Sequence, residues 1–205
     1  MAKRSLIKPR KSPRQTRSQA TVEALLEAGA RVLREDGYEK ASVNRMAEVA
    51  GVSIGSLYQY FPSKEALVAS IVKRHSERML EVFQRDLATL AHLPVEEGVR
   101  AILRRTFEAY AVDPALRRIV VDEVPQFGLV TRTREFDAML AEALKAYFQF
   151  YADVIRPKNH ELAVKILMAS VEAIAQAVVV DDPAMLTSNE LVEEVAHLVL
   201  GYIRT

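Results

Sequence analysis

The stretch Ala50-Gly51-Val52-Ser53-Ile54-Gly55-Ser56-Leu57-Tyr58-Gln59-Tyr60-Phe61-Pro62-Ser63-Lys64-Glu65-Ala66-Leu67 decides how the rest of the chain is read. Gly51 predicts a sharp stop, and Ser53 predicts the cap of a short helix, its side-chain oxygen accepting from N–H groups that have no partner within the helix. Pro62 disfavours helical backbone at Phe61 and ends that helix; Ser63 then opens a longer one. Leu57 and Phe61, four residues apart, and Val52 supply the buried side. Ser53, Ile54, Ser56, Tyr58, Gln59 and Tyr60 are left to face a partner.

Working upstream, Ser42 caps a second short helix whose buried stripe is Val43, Met46, Ala47 and Ala50. Val22, Leu25, Leu26, Ala30 and Leu33 share one face of a first helix from about Thr16 to Asp36, which Gly37 ends. Downstream, the fourth helix runs toward Leu90. Beyond Pro94, helices are expected at about 95–112, 114–124, 131–155, 159–180 and 188–203, separated by Asp113-Pro114, Pro125 to Gly128, Pro157 and Asp182-Pro183. Thr187 and Glu190 stand at capping-box spacing before the last of these. No strand-like alternation of useful length and no internal repeat occurs. The expected fold is all-α, with about nine helices: a basic arm at 1–15, a three-helix domain at 16–64 whose helix-turn-helix occupies about 42–61, and a larger helical domain at 65–205.

Composition narrows the chemistry. Half of the 205 residues are hydrophobic, 27% are charged and none is cysteine. Disulfides, thiolate metal sites and cysteine nucleophiles are therefore excluded. The cysteine count does not fix the redox compartment; an intracellular protein fits it, and a cytoplasmic one is expected. The most apolar stretch, Ile166 to Val180, is interrupted by Glu172 and Gln176 and is shorter than the roughly 18 residues a bilayer requires, so no membrane partner is expected. The net charge of +1 hides an asymmetry: 12 Lys/Arg stand against 6 Asp/Glu through Lys64, and 16 against 21 beyond it. Lys3, Arg4, Lys8, Arg10, Lys11, Arg14 and Arg17 all precede the first acidic residue, Glu23, and form a basic arm expected to be disordered, either an idle tail or a DNA-following one.

Two short helices joined through Ala50-Gly51-Val52-Ser53 match the helix-turn-helix pattern, in which the second helix enters the major groove and the first braces it. On the bare pattern an ordinary helical hairpin fits equally well. If DNA is the partner, Gln59 suits adenine N6/N7, while the Tyr58 and Tyr60 hydroxyls and Lys64 suit phosphate oxygens. Gly55 lets a phosphate approach the backbone. The candidate DNA-contacting set is Ser42, Arg45, Ser53, Ile54, Gly55, Ser56, Tyr58, Gln59, Tyr60 and Lys64.

The run from Ser42 to Leu67 resembles the DNA-binding signature of the TetR family, the tetracycline-repressor-like regulators of bacteria. It has that family's A-G-V-S-x-G turn, its L-Y-x-[HY]-F segment and the S-K-E opening of the linking helix, with Met46 where isoleucine is commoner. The resemblance is clear from about Thr16 to Leu67. It implies a homodimeric transcription factor, usually a repressor, that binds a palindromic double-stranded operator and is released by a small molecule.

The resemblance also implies a four-helix dimer interface built from the last two long helices of each subunit, and the residues agree independently. Ala169, Ala173 and Ala177 form a smooth ridge beside Ile166, and the final helix carries the stripe Leu191, Val195, Leu198 and Tyr202. Between head and interface, an aromatic-rich set at helical spacings includes Phe83, Leu87, Leu103, Phe107, Tyr110, Phe127, Phe136, Leu140, Tyr147, Phe148 and Tyr151, with Glu123 and Gln126 as polar neighbours. Candidates for an unknown, largely apolar effector are Phe107, Tyr110, Glu123, Gln126, Phe127, Tyr147 and Tyr151. No cofactor and no metal is expected. Glu194 and His197 give one Glu-x-x-His spacing where a di-iron bundle needs two, which disfavours the alternative of a metal-dependent helical-bundle enzyme. A general nucleic-acid packaging protein is the other alternative, using the basic arm without a sequence-reading helix.

Overall fold

The computed structural model describes the backbone of residues 16–85, 93–122 and 134–204, and the side chains within those spans except at 16–17, 120–122 and 134–137. Among the described residues there are nine α-helices and no strand: α1 (Thr16–Lys40), α2 (Val43–Val49), α3 (Ile54–Tyr60), α4 (Lys64–Gln84), α5 (Val95–Tyr110), α6 (Pro114–Asp122), α7 (Arg134–Phe150), α8 (His160–Asp181) and α9 (Asn189–Ile203). A short 3-10 helix, Pro183–Thr187, precedes α9. The helices form two compact units. One holds α1–α3, α4 up to Ser76 and α6 from Ala115; the other holds α4 from Glu77, α5 and α7–α9.

The first unit is built by local stop and start signals. α1 continues one turn past the expected end at Asp36, but Gly37 inside it has φ 72° and ψ 174°, a backbone region open essentially only to glycine. The chain therefore kinks at Gly37, as the residue type predicts, and resumes for a final turn to Lys40. Gly51 has φ 67° in the turn between α2 and α3. Ser42 Oγ accepts from Arg45 N–H at 3.2 Å, and Ser53 Oγ accepts from Ser56 N–H at 3.1 Å, so both expected N-caps are formed. Leu25, Leu33, Met46, Leu57, Phe61 and Leu67 are fully buried together. That core extends along α4 through Val68, Ile71 and Val72, and takes in Leu116 of α6. Arg74 reaches from α4 to Glu23 of α1 at 3.0 Å.

In the second unit, α5 packs along α9 and α7 packs against α8. Val99, Leu103, Phe107 and Tyr110 give α5 a buried stripe at helical spacing. Its partner face on α9 is Val192, Val195, Ala196, Val199 and Ile203. A Cβ at Gly98 would collide with the Tyr147 hydroxyl, so the glycine admits that ring beside α5. On the polar rim, Arg100 holds Glu193 at 2.8 Å and Arg104 donates to Asn189 at 2.6 Å.

One expected cap is displaced. Ser188, not Thr187, caps α9, accepting from Leu191 N–H at 3.1 Å. Thr187 instead closes the 3-10 helix and donates to the Ala184 carbonyl at 3.2 Å. The physical reason lies in Asp182, whose carboxylate accepts from Ala184 N–H and starts the 3-10 turn through Pro183, which moves the start of α9 by one residue.

α8 is long and apolar enough to cross a bilayer by length and composition alone, although only a third of its most apolar window is buried. One face, Ala163, Val164, Leu167, Ala175 and Val179, lies in the core. The other face carries exposed Leu162, Ile166, Ala169, Ala173, Ala177 and Val180. A water-facing apolar ridge of this length is a surface that calls for cover.

Candidate functional site

In the first unit, α3 stands on the buried Leu57 and Phe61 and turns a polar face outward. Ser53, Ile54, Gly55, Tyr58 and Gln59 are exposed, and Ser56 is half-buried with its hydroxyl 2.8 Å from Ser53 Oγ. Tyr58 is 45% exposed, a large value for an aromatic ring on so short a helix. A Cβ built on Gly55 would meet nothing nearer than Ser53 Oγ at 3.9 Å, so the protein's own packing does not require glycine there.

Three of the expected DNA-contacting residues are engaged inside the unit. Tyr60 is half-buried against the core and its hydroxyl lies 2.8 Å from Ser18 Oγ of α1, so it is not free as the spacing suggested. The correction has a simple cause: Tyr60 falls three residues after Leu57, on the flank of the buried stripe. Lys64 is half-buried, with Nζ donating to the Tyr38 carbonyl and lying 4.2 Å from the centroid of the Tyr38 ring. A lysine that satisfies a terminal helix carbonyl while resting on an aromatic face clamps the end of α1 to the start of α4. Arg45 is held by Glu35 and Asp36, each at 3.0 Å. Arg31 donates to the other oxygen of Glu35 at 2.8 Å, and these two hydrogen bonds, that of Arg31 first, hold the Glu35 carboxyl below its ordinary value. Ser42 is exposed, its oxygen used as the α2 cap. Tyr38, the partner of Lys64, carries no signal of that role in the sequence, because the role depends on the kink at Gly37.

In the second unit, an apolar cavity of about 60 Å³ opens among α5, α7, α8 and α9. From the candidate effector set it includes Tyr110 and Tyr147. Phe107 is instead fully buried in the core and does not line the cavity. Tyr151 also stays outside the lining; its hydroxyl donates to the Leu93 carbonyl at 2.8 Å, and the Tyr147 hydroxyl converges on the same oxygen at 3.4 Å. Burial, with a smaller contribution from Tyr151, pushes the Tyr147 phenol above its ordinary value. Glu123, Gln126 and Phe127 lie outside the described residues, as do Leu87, the Phe136 side chain and the basic arm at 1–15. Much of the wall was missed: Ile102 and Thr106 of α5, Leu144 of α7, and Met168, Val171 and Glu172 of α8. The 3.6-residue period marks the apolar ones as core and reads Glu172 as an interruption, and only the gap between packed helices distinguishes wall from core.

The expected dimer residues divide. Ile166, Ala169, Ala173, Ala177 and Leu198 are exposed, Leu198 by 55%, and Tyr202 is half-buried. Leu191 and Val195 are buried within the unit's own core, which corrects their assignment to a surface stripe. Both are among the buried residues of α9, the helix that packs along α5.

The chain matches two family models. Residues 25–71 match that of the bacterial regulatory proteins of the tetR family, and residues 94–203 match that of the tetracyclin repressor-like C-terminal domain. It is 30% identical over 142 residues to the HTH-type transcriptional regulator UidR of Escherichia coli K12, covering 69% of this chain and 68% of that one. A putative TetR-family regulator from Mesorhizobium loti superposes with TM-score 0.72 at 21% identity, over 93% of this chain and all of that one. The regulator FadR of Bacillus subtilis, solved in complex with stearoyl-CoA, superposes with TM-score 0.70 at 21% identity, over 89% of this chain and 99% of that one. With a recognition helix exposed on a rigid three-helix base and a matched C-terminal domain covering half the chain, the protein belongs to the TetR family and is a DNA-binding transcriptional regulator.

Proposed function

We propose that the protein is a cytoplasmic homodimeric repressor that binds a palindromic operator through α3 and is released when a small, largely apolar effector enters the cavity of the second unit. The observation that carries this reading is the exposed polar face of α3, Ser53 to Gln59, on a base whose own packing leaves Tyr58 and Gln59 unused. Gln59 reads a base edge, while Ser53, Ser56 and Tyr58 meet phosphates. Ser42 and Arg45 of α2 brace the duplex backbone, Ile54 makes an apolar contact, and Gly55 admits a phosphate close to the main chain. Tyr60 and Lys64 act chiefly by holding α3 and α4 in place.

The exposed ridge of α8, with Leu198 of α9, supports pairing with a second copy; burying it would remove from water the apolar surface that the single chain leaves open. The apolar cavity supports the effector, and the solved FadR complex, a relative in fold, carries stearoyl-CoA, a ligand with a long apolar acyl chain. The repressor sense rests on the tetracyclin repressor-like model matched by the second unit. The test is selection of bound fragments from a genomic library followed by footprinting. One protected inverted repeat whose half-sites lie about 34–36 Å apart, or a multiple of that, is the expected result. Uniform coverage of duplex DNA without a preferred site would favour a packaging protein instead.

A further inference from the structure

We propose that the cavity of the second unit recognises a slender, uncharged molecule with an apolar body and one hydrogen-bond acceptor, such as a methyl ketone, and that the Tyr147 hydroxyl is the donor that reads it. This rests on the reading of the cavity as an effector site. Among the described residues, the polar side chains of the lining are Thr106, Tyr110, Tyr147 and Glu172, and no lysine, arginine or histidine joins them. Thr106 gives its proton to the Ile102 carbonyl at 2.8 Å. Glu172 accepts from Gln176 Nε2 at 3.0 Å, and both Glu172 and Tyr110 are engaged elsewhere within the protein as well.

The bond of Tyr147 is the longest of these. Its hydroxyl stands 3.4 Å from the Leu93 carbonyl, beyond the roughly 2.5–3.0 Å of an O–H···O hydrogen bond. That carbonyl already has a short partner, because the Tyr151 hydroxyl donates to it at 2.8 Å. The Tyr147 ring is buried, and its hydroxyl lies against Gly98, next to the lining residue Val99. Burial keeps the phenol in its protonated, donating form. A ligand acceptor can therefore take the Tyr147 proton while Leu93 keeps the Tyr151 bond, so no buried carbonyl is stranded. A carboxylate or an ammonium group loses its hydration on entering such a space. The first finds no cation in the lining, and the second finds a carboxylate already engaged. The cavity, about 60 Å³, is well under the roughly 150 Å³ that holds a benzene ring, so a short aliphatic chain suits it better than a ring.

The experiment uses the full chain with pentan-2-one and its isostere 2-methyl-1-pentene, in which a methylene group replaces the carbonyl oxygen, beside pentanoate, pentylamine and stearoyl-CoA. Affinities are read by protein NMR titration, and release of operator DNA is followed in parallel by fluorescence anisotropy. In Tyr147→Phe the ratio of ketone to alkene affinity should fall about threefold to tenfold, as the loss of one hydrogen bond requires, with the alkene itself within about twofold of wild type. In Tyr151→Phe the Leu93 carbonyl depends on Tyr147 alone, so the same ratio should fall there too, although Tyr151 does not line the cavity. In both variants the alkene reports that the cavity is intact. An unchanged ratio in either variant, an equal loss of ketone and alkene, tighter binding of pentanoate, pentylamine or stearoyl-CoA than of pentan-2-one, or no binding by any of the series would overturn the proposal. The expected ratios with operator DNA still bound would sustain it while removing effector release from the proposed function.

Discussion

The Tyr60 hydroxyl lies 2.8 Å from Ser18 Oγ, and this contact ties the end of the recognition helix to the start of the first helix across 42 residues of sequence. It makes Tyr60 a fastening of α3. Tyr60→Phe keeps the ring against the core and removes one partly buried hydrogen bond. The head should lose about 0.5–1.5 kcal/mol of stability, read by thermal or urea unfolding. Sequence preference on an operator library should not change; an altered base preference would return Tyr60 to the DNA-reading set.

Gln59 and Lys64 should separate specificity from support. Gln59→Ala is expected to relax preference at one base pair in each half-site, at a cost of about 1–3 kcal/mol there, with folding intact. Lys64→Ala removes the clamp on Tyr38 and should weaken binding to all sequences alike, together with a lower unfolding midpoint. Parallel binding and unfolding curves for the two variants check this, and loss of base preference in Lys64→Ala would contradict it.

Gly37→Ala puts a side chain at φ 72°, ψ 174°. Strain there costs on the order of 1–3 kcal/mol, so the variant should unfold at a lower denaturant concentration. If the kink relaxes, Tyr38 moves away from Lys64 and DNA affinity falls with stability. Unfolding followed beside operator titration distinguishes the two, since pure destabilisation leaves affinity at low temperature unaltered.

Ala173 and Leu191 should behave oppositely, although both belong to the expected dimer surface. Ala173→Glu places a charge on the exposed ridge of α8 and should dissociate the dimer while the single chain keeps its helix content. Leu191→Ala opens a gap in the unit's own core and should cost about 2–5 kcal/mol without acting on association first. Sedimentation combined with circular dichroism reads both. A wild-type chain that is a stable monomer at micromolar concentration would remove the basis for two-fold recognition.

Deleting residues 2–14 removes Lys3, Arg4, Lys8, Arg10, Lys11 and Arg14 and leaves the helical head entire. For every phosphate that the shortened arm no longer neutralises, the dependence of log K on log salt should become shallower by about 0.9. The expected outcome is weaker operator binding with a reduced slope and an unchanged response to effector. An unchanged slope would mean that the arm only hangs in solvent.

Much of the head could be read in advance because its signals act over a few residues. Ser42 and Ser53 cap the helices that follow them, Gly51 takes positive φ where the turn needs it, and Leu57 with Phe61 is buried as the four-residue spacing requires. Where two local signals competed, the reading slipped. Thr187 with Glu190 had capping-box spacing, yet Ser188 caps α9 because Asp182 had already begun a tighter turn.

What the sequence determined by itself was the helical fold, most of the stops and starts, the family and the exposed face of α3, since capping, turn geometry and periodicity are properties of neighbours along the chain. Tertiary structure alone decided which apolar faces are core, which are wall and which are open. Leu191 and Leu198 have the same chemistry on one helix, but α9's packing partners bury the first and leave the second exposed. Glu172 likewise reads as an interruption in an apolar run until α5 and α7 enclose the space beside it. Periodicity states that a face will seek cover; only the packed neighbours supply it, because burial is a relation between surfaces distant in sequence.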